Sequence, residues 1–251
     1  MSDVHGAATS LASAGDGAHL VICLGDLVVF TDYANPGRGV MGTLFGANVA
    51  AEYIRLRTAG QFAQARQYAD RHWQRLPGDR DALIGEQIAA QYDALFAALP
   101  TPALLIYGNV DVPALWPPRL RAGHRVCDGE VVEIAGVRFG FIGGGLRTRY
   151  RTPYELDDGQ YADRVAGLGP VDVLCSHIPC ALPEITYDVI ARRFERGSEA
   201  LLAYVRQVQP RLHLHGHVHQ PLRSRQRVGR TECINVGHFA ATGTPFRLDL
   251  P

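Results

Sequence analysis

Short apolar runs recur along the chain, and each run is continuous rather than alternating with polar residues. A continuous apolar run of four to eight residues is typical of a strand that is covered on both faces of a sheet. The pattern therefore predicts buried strands and an α/β fold. The runs cover residues 20–24, 103–107, 137–142, 171–175 and 231–236.

Between residues 49 and 99 the apolar positions change to helical spacing. Gly60 and the pair Pro77-Gly78 separate the helices, and Pro100 ends the last one. We expect a helical insertion over roughly residues 40–100 within a single domain of residues 1–251, and we favour a structural role for it over a substrate-binding cap. Its two apolar stripes are Phe62, Ala65, Ala69, Trp73 and Leu76, then Ile84, Ile88, Gln91, Leu95 and Leu99, the second broken only at Gln91.

The composition excludes several classes of function but does not indicate a particular one. With 251 residues, 47% of them hydrophobic, the chain can bury one sizeable core. A formal net charge of zero gives no electrostatic attraction to nucleic acid or to an anionic membrane. No apolar run reaches the length of a membrane span. The first residues show no charged stretch followed by an apolar one, so we expect no signal peptide. Five scattered cysteines without a CxxC pair indicate free thiols in a reducing cytosol, so we expect a cytoplasmic protein.

Five short polar motifs occur in order, and several come directly after a predicted strand, where ligands of such sheets bind. Together they supply three carboxylates, one amide and four imidazoles. This mixture suits borderline divalent ions such as manganese, iron, zinc or cobalt. No cysteine belongs to the motifs, which argues against a closed structural zinc site among them. The motifs are Asp3-Val4-His5, Gly25-Asp26, Gly108-Asn109-Val110-Asp111, Ser176-His177 and Gly216-His217-Val218-His219.

This ordered set resembles the calcineurin-like metallophosphoesterase superfamily, whose motifs are DxH, GD, GNH(D/E), H and GHxH. The resemblance spans nearly the whole chain, from Asp3 to His219. It implies an α/β sandwich of two facing β-sheets flanked by helices. It also implies two divalent metal ions, manganese first and iron, zinc, cobalt or nickel as alternatives. The implied reaction is hydrolysis of a phosphate ester by a hydroxide that bridges the two ions.

The resemblance also assigns roles to individual residues, by their position in the motifs. One ion would be held by Asp3, His5 and His219, and the second by Asn109, His177 and His217. Asp26 would bridge the two ions. Alternate residues of an extended segment point the same way, which lets Asp3 and His5 bind one ion. Glycines at positions 25, 108 and 216 predict tight turns and close backbone approach.

The chain departs from the family pattern at one catalytic position. The histidine that usually follows Gly-Asn, and that helps to protonate the leaving group, is Val110 here. Asp111 remains without its usual partner, and His238 follows a predicted strand where it could replace the missing acid. We therefore take Asp111 and His238 as the candidate catalytic residues. Some small bacterial and archaeal members that lack this histidine resemble phosphodiesterases, which favours a phosphodiester substrate by analogy.

Two other functions stay open on the sequence. One is a phosphomonoesterase that acts on nucleotides or phosphoproteins. The other is a catalytically weak metal-binding scaffold for protein partners, since one retromer subunit uses this fold in that way. We expect a small phosphate-ester substrate, no membrane partner and no clear nucleic-acid surface, and the oligomeric state is left open. The strand that should precede the first motif is missing or reduced to Met1.

Overall fold

A computed structural model describes residues 1–250 of the chain. Its strands are β1 Val21–Cys23, β2 Ala103–Leu105, β3 His124–Val126, β4 Val131–Ile134, β5 Val137–Ile142, β6 Gly145–Leu146, β7 Glu155–Leu156, β8 Val173–Ser176, β9 Tyr187–Asp188, β10 Arg193–Phe194, β11 Leu212–His215, β12 Arg225–Val228 and β13 Thr231–Asn235. Its α-helices are α1 Ala8–Leu11, α2 Gly39–Phe45, α3 Ala47–Thr58, α4 Phe62–Trp73, α5 Arg80–Ala98, α6 Asp158–Gly167, α7 Pro183–Thr186, α8 Glu199–Val208 and α9 Phe239–Thr242.

Six strands form the larger sheet, in the order β12-β13-β11-β8-β5-β4. The four central strands pair in parallel, and the two edge strands β12 and β4 are antiparallel to their neighbours. Parallel neighbours bring their carboxyl ends to one edge of the sheet. The loops after β8, β11 and β13 therefore leave the sheet side by side.

The smaller sheet is parallel and has three strands, in the order β1-β2-β3. The chain start runs beside β1: the amino group of Met1 donates to the carbonyl of Ile22, and the amide of Leu24 donates to the carbonyl of Met1. Ser2 then forms an isolated parallel bridge with His238. Among the described residues, these few contacts lie where a strand was expected before the first motif.

The two sheets share one apolar core, and helices cover the other face of the larger sheet. Leu104 of the smaller sheet packs in one cluster with Phe141 and Val173 of the larger sheet. On the opposite face Leu174 packs with α6 and α8 residues such as Tyr161 and Leu201. Val173 and Leu174 face opposite sides because side chains alternate along a strand. The predicted pattern of strands covered on both faces is confirmed.

The covering helices begin at clear sequence signals. Asp157 and Gln160 form a reciprocal capping box at the start of α6. The Ser198 side chain accepts the amide of Leu201 at the start of α8. These caps satisfy amides that would otherwise lack partners inside the helix.

The helical block folds as its own compact unit, Val28–Ala94, apart from the unit formed by Met1–Leu27 and the chain from Leu95 onward. Within it, Met41, Ala50 and Trp73 are buried together in one cluster. The side chain of Gln91, where the predicted apolar stripe is broken, exchanges two hydrogen bonds with the backbone of Val29. The polar break in the stripe is therefore satisfied locally.

Candidate metal centre

Five separate chain segments bring the predicted ligands together within the unit that contains both sheets. Asp26 follows β1, Asn109 follows β2, His177 follows β8, and the His217–His219 turn follows β11. The N-terminal segment is placed beside them because the amides of Asp3 and His5 donate to the carbonyls of Gly25 and Asp26. All seven predicted ligand positions thus converge, although they are spread over most of the chain.

Asp3, His5 and His219 form the first ligand set. The Nε2 atoms of His5 and His219 lie 3.1 Å apart. Asp3 Oδ1 lies 3.2 Å from Nε2 of His219 and 3.8 Å from Nε2 of His5. Asp3 Oδ1 is buried and forms no hydrogen bond of its own, whereas Asp3 Oδ2 accepts the amide of His217 at 2.9 Å. The three donor atoms therefore point into one small space.

Asn109, His177 and His217 form the second set. Nε2 of His177 lies 3.0 Å from Oδ1 of Asn109 and 3.4 Å from Oδ2 of Asp26. The His177 and His217 rings meet edge to face with centroids 5.2 Å apart, and their nitrogens lie within 4.8 Å of Asp26. Oδ2 of Asp26 is also 4.0 Å from Nε2 of His5. Asp26 therefore lies between the two sets, in the position expected of a bridging ligand.

The donor set fits divalent ions. Nδ1 of His177 donates to the carbonyl of Leu24 at 2.8 Å, which leaves the lone pair of Nε2 facing oxygens of Asn109 and Asp26. Three lone pairs that converge in this way need a cation between them, either a proton or a metal ion. Donors at about 2.1 Å from one octahedral ion are about 3 Å apart, close to the spacings within both sets.

Backbone conformation concentrates strain at the ligands. Asp3, His5, Asp26 and His217 have φ angles of 58°, 40°, 55° and 69°, and they make up four of the eight non-glycine residues with positive φ among residues 1–250. Such conformations cost about 1–3 kcal/mol each and cluster at functional sites. The backbone strain that orients these four side chains therefore lowers the stability of the folded state.

Close backbone approach at the predicted glycines is confirmed. A Cβ at Gly108 would overlap the carboxylate of Asp26, and a Cβ at Gly216 would overlap the side chains of Ser2 and Asp3. Any larger residue at either position would displace a predicted ligand.

Opposite charges set the protonation of the buried ligands. Burial opposes ionisation of Asp3, but the His219 imidazole outweighs it and lowers the pKa of Asp3 well below its usual value. Burial likewise opposes the charged form of His177, yet Asp26 outweighs it and raises the pKa of His177 to about 9. Burial, helped by His177, lowers the pKa of His217 to about 4. His217 is thus neutral near pH 7, as a metal ligand must be.

Asp111 joins the loop after β1 to the loop after β2. It is fully buried, and its carboxylate accepts the amides of Asp26 and Gly108 at 2.8 Å and that of Leu27 at 3.0 Å. Burial, and after it the charge of Asp26, raises the pKa of Asp111 to about 7. These contacts make it a positioning residue for Asp26, and its catalytic role stays a prediction.

Two residues that the sequence did not single out orient Asn109. The Asn109 side-chain amide donates to Oγ1 of Thr152 at 3.0 Å, and Thr152 donates in turn to Glu155 at 2.9 Å. This chain of donors turns Oδ1 of Asn109 towards His177. No sequence signal could have found it, because Thr152 lies in an ordinary polar loop, Glu155 begins the short strand β7, and both act only through their position.

His238 lies against the first ligand set. Its ring stacks on His219 with centroids 3.9 Å apart, and a nitrogen of each of His5, His219 and His238 lies within 4.8 Å of the others. Burial and the neighbouring His219 lower the pKa of His238 to about 4. Val110 contributes only its backbone amide, which donates to Oδ1 of Asp26 at 3.0 Å.

Comparison with known proteins supports the fold class but identifies no family. No family model and no curated protein matches the chain. Nineteen chains of solved structures do match. One of these crystal structures is 14% identical, covers 95% of this chain and 89% of its own, and superposes with a TM-score of 0.56. At that identity the likeness shows the fold alone, a mixed α/β architecture with sheets flanked by helices. None of the helices within residues 1–250 has the length and apolar character to cross a bilayer.

Proposed function

We propose that this protein is a dinuclear metal-dependent phosphoesterase of the calcineurin-like type and that its substrate is a phosphodiester. One observation carries the proposal: the carboxylates of Asp3 and Asp26, the amide of Asn109 and the four imidazoles of the motifs meet in one pocket. The two sets share Asp26, whose Oδ2 lies 4.0 Å from His5 Nε2 and 3.4 Å from His177 Nε2. The arrangement suits two cations side by side.

The residues of the chain have separable tasks in this proposal. Two bound divalent ions, manganese first, would supply a hydroxide from water near neutral pH and neutralise charge on the phosphoryl group. The Asp111 carboxylate fixes the backbone that carries Asp26, and Thr152 fixes the amide of Asn109. His177 is kept in one tautomer by the Leu24 carbonyl. Such preorganised groups need no rearrangement during the reaction.

A shortage of proton donors supports a substrate with a good leaving group, while the choice of a diester rests on the family resemblance at the motif that contains Val110. Val110 has no side-chain proton to give. His238 has a pKa of about 4, so it is almost entirely neutral at pH 7 and a poor general acid. General acid catalysis is worth about a hundred- to ten-thousand-fold for a poor leaving group. We therefore propose that the enzyme turns over esters whose leaving group departs without protonation.

The direct test compares two chromogenic esters of the same phenol. Protein stripped with chelator and reloaded with manganese is assayed on bis(p-nitrophenyl) phosphate and on p-nitrophenyl phosphate. We expect manganese-dependent hydrolysis with higher kcat/KM on the diester. His217→Ala removes one imidazole of the second set and should lower kcat/KM at least about a hundredfold. His19→Ala, which changes an exposed histidine outside the centre, is the matched control.

Each other outcome selects a rival function. Faster turnover of the monoester would favour a phosphomonoesterase acting on nucleotides or phosphoproteins. Metal binding at the centre without hydrolysis of either ester, or of a wider panel of phosphate esters, would favour the metal-binding scaffold. Equal activity with chelator and with manganese would overturn the metal-dependent mechanism itself.

A further inference from the structure

A second group of metal-ligating side chains lies in the core, away from the Asp-His centre. Cys180 follows β8, His213 lies on β11 and Cys233 lies on β13, and all three side chains are fully buried. The two Sγ atoms are 3.8 Å apart. One donor atom from each of the three residues lies within 4.8 Å of the other two. These residues are far apart in the sequence, so no motif revealed them.

The hydrogen bonds of Ser176 determine which nitrogen of His213 carries the ring proton. The Ser176 hydroxyl donates its only proton to the carbonyl of Ile178 at 2.6 Å. It must therefore accept at its second contact, 2.7 Å from Nε2 of His213. Nε2 then carries the ring proton, and Nδ1 of the neutral ring holds a lone pair. Nδ1 is buried and has no hydrogen-bond partner.

The surroundings favour a group that is neutral overall. Cys180 and Cys233 belong to the apolar cluster that also contains Leu201 and Val205. Contact between the two thiols lowers the pKa of Cys233 and raises that of Cys180. An unpaired charge in such a core is costly. A divalent cation that replaces the protons of both thiols leaves no net charge, since two thiolates and a neutral imidazole balance it.

We propose that Cys180, His213 and Cys233 bind one zinc ion, at a site separate from the Asp-His centre. Thiolate and imidazole are the donors that zinc prefers, and two thiolates at about 2.3 Å from a tetrahedral ion lie about 3.8 Å apart. The observed sulfur separation is 3.8 Å, so little movement is needed. The inference stands whether or not the protein is a phosphoesterase.

Zinc at this site would stabilise the elements that lead to the Asp-His centre. The site joins the loop after β8 to β11 and β13, and these elements lead to His177, His217 and His238. An ion that binds only the folded state stabilises that state by mass action. Zinc at this site would therefore hold in place the strand ends that carry three of the predicted functional histidines.

Cobalt(II) is the probe, because its bonds to thiolate give an intense charge-transfer absorption in the near ultraviolet that oxygen and nitrogen ligands do not give. Reduced protein freed of metal by chelator is titrated with cobalt(II) alone. We expect this absorption to grow to saturation as cobalt is added and to disappear when zinc is then added in the same total amount. Cobalt bound at the Asp-His centre does not contribute to it, so failure of either site is seen separately.

Cys180→Ala and Cys233→Ala should each lower the charge-transfer absorption at least tenfold. Cys175→Ala is the matched control, since Cys175 is an equally buried cysteine on neighbouring β8 that lies outside the cluster. The wild-type titration decides the matter even if a variant fails to fold. The proposal is overturned by an absence of thiolate absorption in wild type, by its persistence in Cys180→Ala, or by a Cys180–Cys233 disulfide in protein isolated under reducing conditions.

Discussion

At the scale of single residues, Asp26 connects the two ligand sets. Its Oδ2 faces His5 and His177, its Oδ1 accepts the amide of Val110, and its own amide is held by Asp111. The bare sequence offered only a Gly-Asp pair, which occurs by chance in many proteins. The ordered set of motifs, rather than any single one, made it a predicted bridging ligand.

Removing the bridge should have a larger effect than removing a terminal ligand. We expect Asp26→Ala to lose both ions of the Asp-His centre, because it takes a donor from each set. His219→Ala should lose about one ion, since it takes a donor from the first set only. Elemental analysis of manganese after equilibrium dialysis measures both. Equal loss in the two variants would contradict the bridging assignment, and His19→Ala should keep full metal content.

The raised pKa of His177 predicts a pH dependence of metal binding. The pKa of His177 is raised to about 9, so below that pH the metal-free centre holds a proton on His177. A metal ion must displace this proton in order to bind. Manganese affinity should therefore rise up to about tenfold per pH unit from pH 7 towards 9 and level off above. Calorimetry in two buffers of different ionisation enthalpy should show about one proton released per centre at pH 7.5. A pH-independent affinity with no proton release would count against this protonation state.

At the scale of elements, strand ends supply the ligands and buried polar contacts hold the loops. The five apolar runs predicted strands that the structure contains, because continuous burial on both faces leaves a clear pattern. Strands β3, β4 and β12 were not among those runs, since edge strands are half exposed and lack that pattern. The central strand β11 was not among them either, because two histidines alternate with its leucines and interrupt the apolar run. Helices α6 and α8 were also not predicted, although the sequence contains their capping residues Asp157, Gln160 and Ser198. The role of Thr152 depends on where its loop folds, which no local pattern encodes.

Asp111 gives a test at this scale, because it binds the β1 and β2 loops to each other. Asp111→Asn keeps the shape but turns one acceptor into a donor that faces backbone amides. We expect the free energy of unfolding to fall by about 2 kcal/mol, the cost of an unsatisfied buried polar group. Urea denaturation in chelator separates this loss from metal binding. Asp163→Asn, on the exposed face of α6, should change stability by less than about 0.5 kcal/mol.

At the scale of the whole molecule, two sheets share one core and bring distant segments to a common edge. The order of motifs predicted that meeting point, because parallel strands place successive loops side by side. The sequence could not foresee the cysteine-histidine cluster beneath it. Cys180 and Cys233 pack on the side of the larger sheet that the helices cover. Only the strand order β13-β11-β8 makes them neighbours of His213.

The ligands of the Asp-His centre extend from residue 3 to residue 219, and this spread has a consequence for biosynthesis. A nascent chain that has not yet reached the turn after β11 lacks His217 and His219, so neither ligand set is complete. Contacts between residues so far apart in sequence also form late and slowly in folding. The cations proposed for this centre could therefore bind only after residues 217–219 have been synthesised and have left the ribosome.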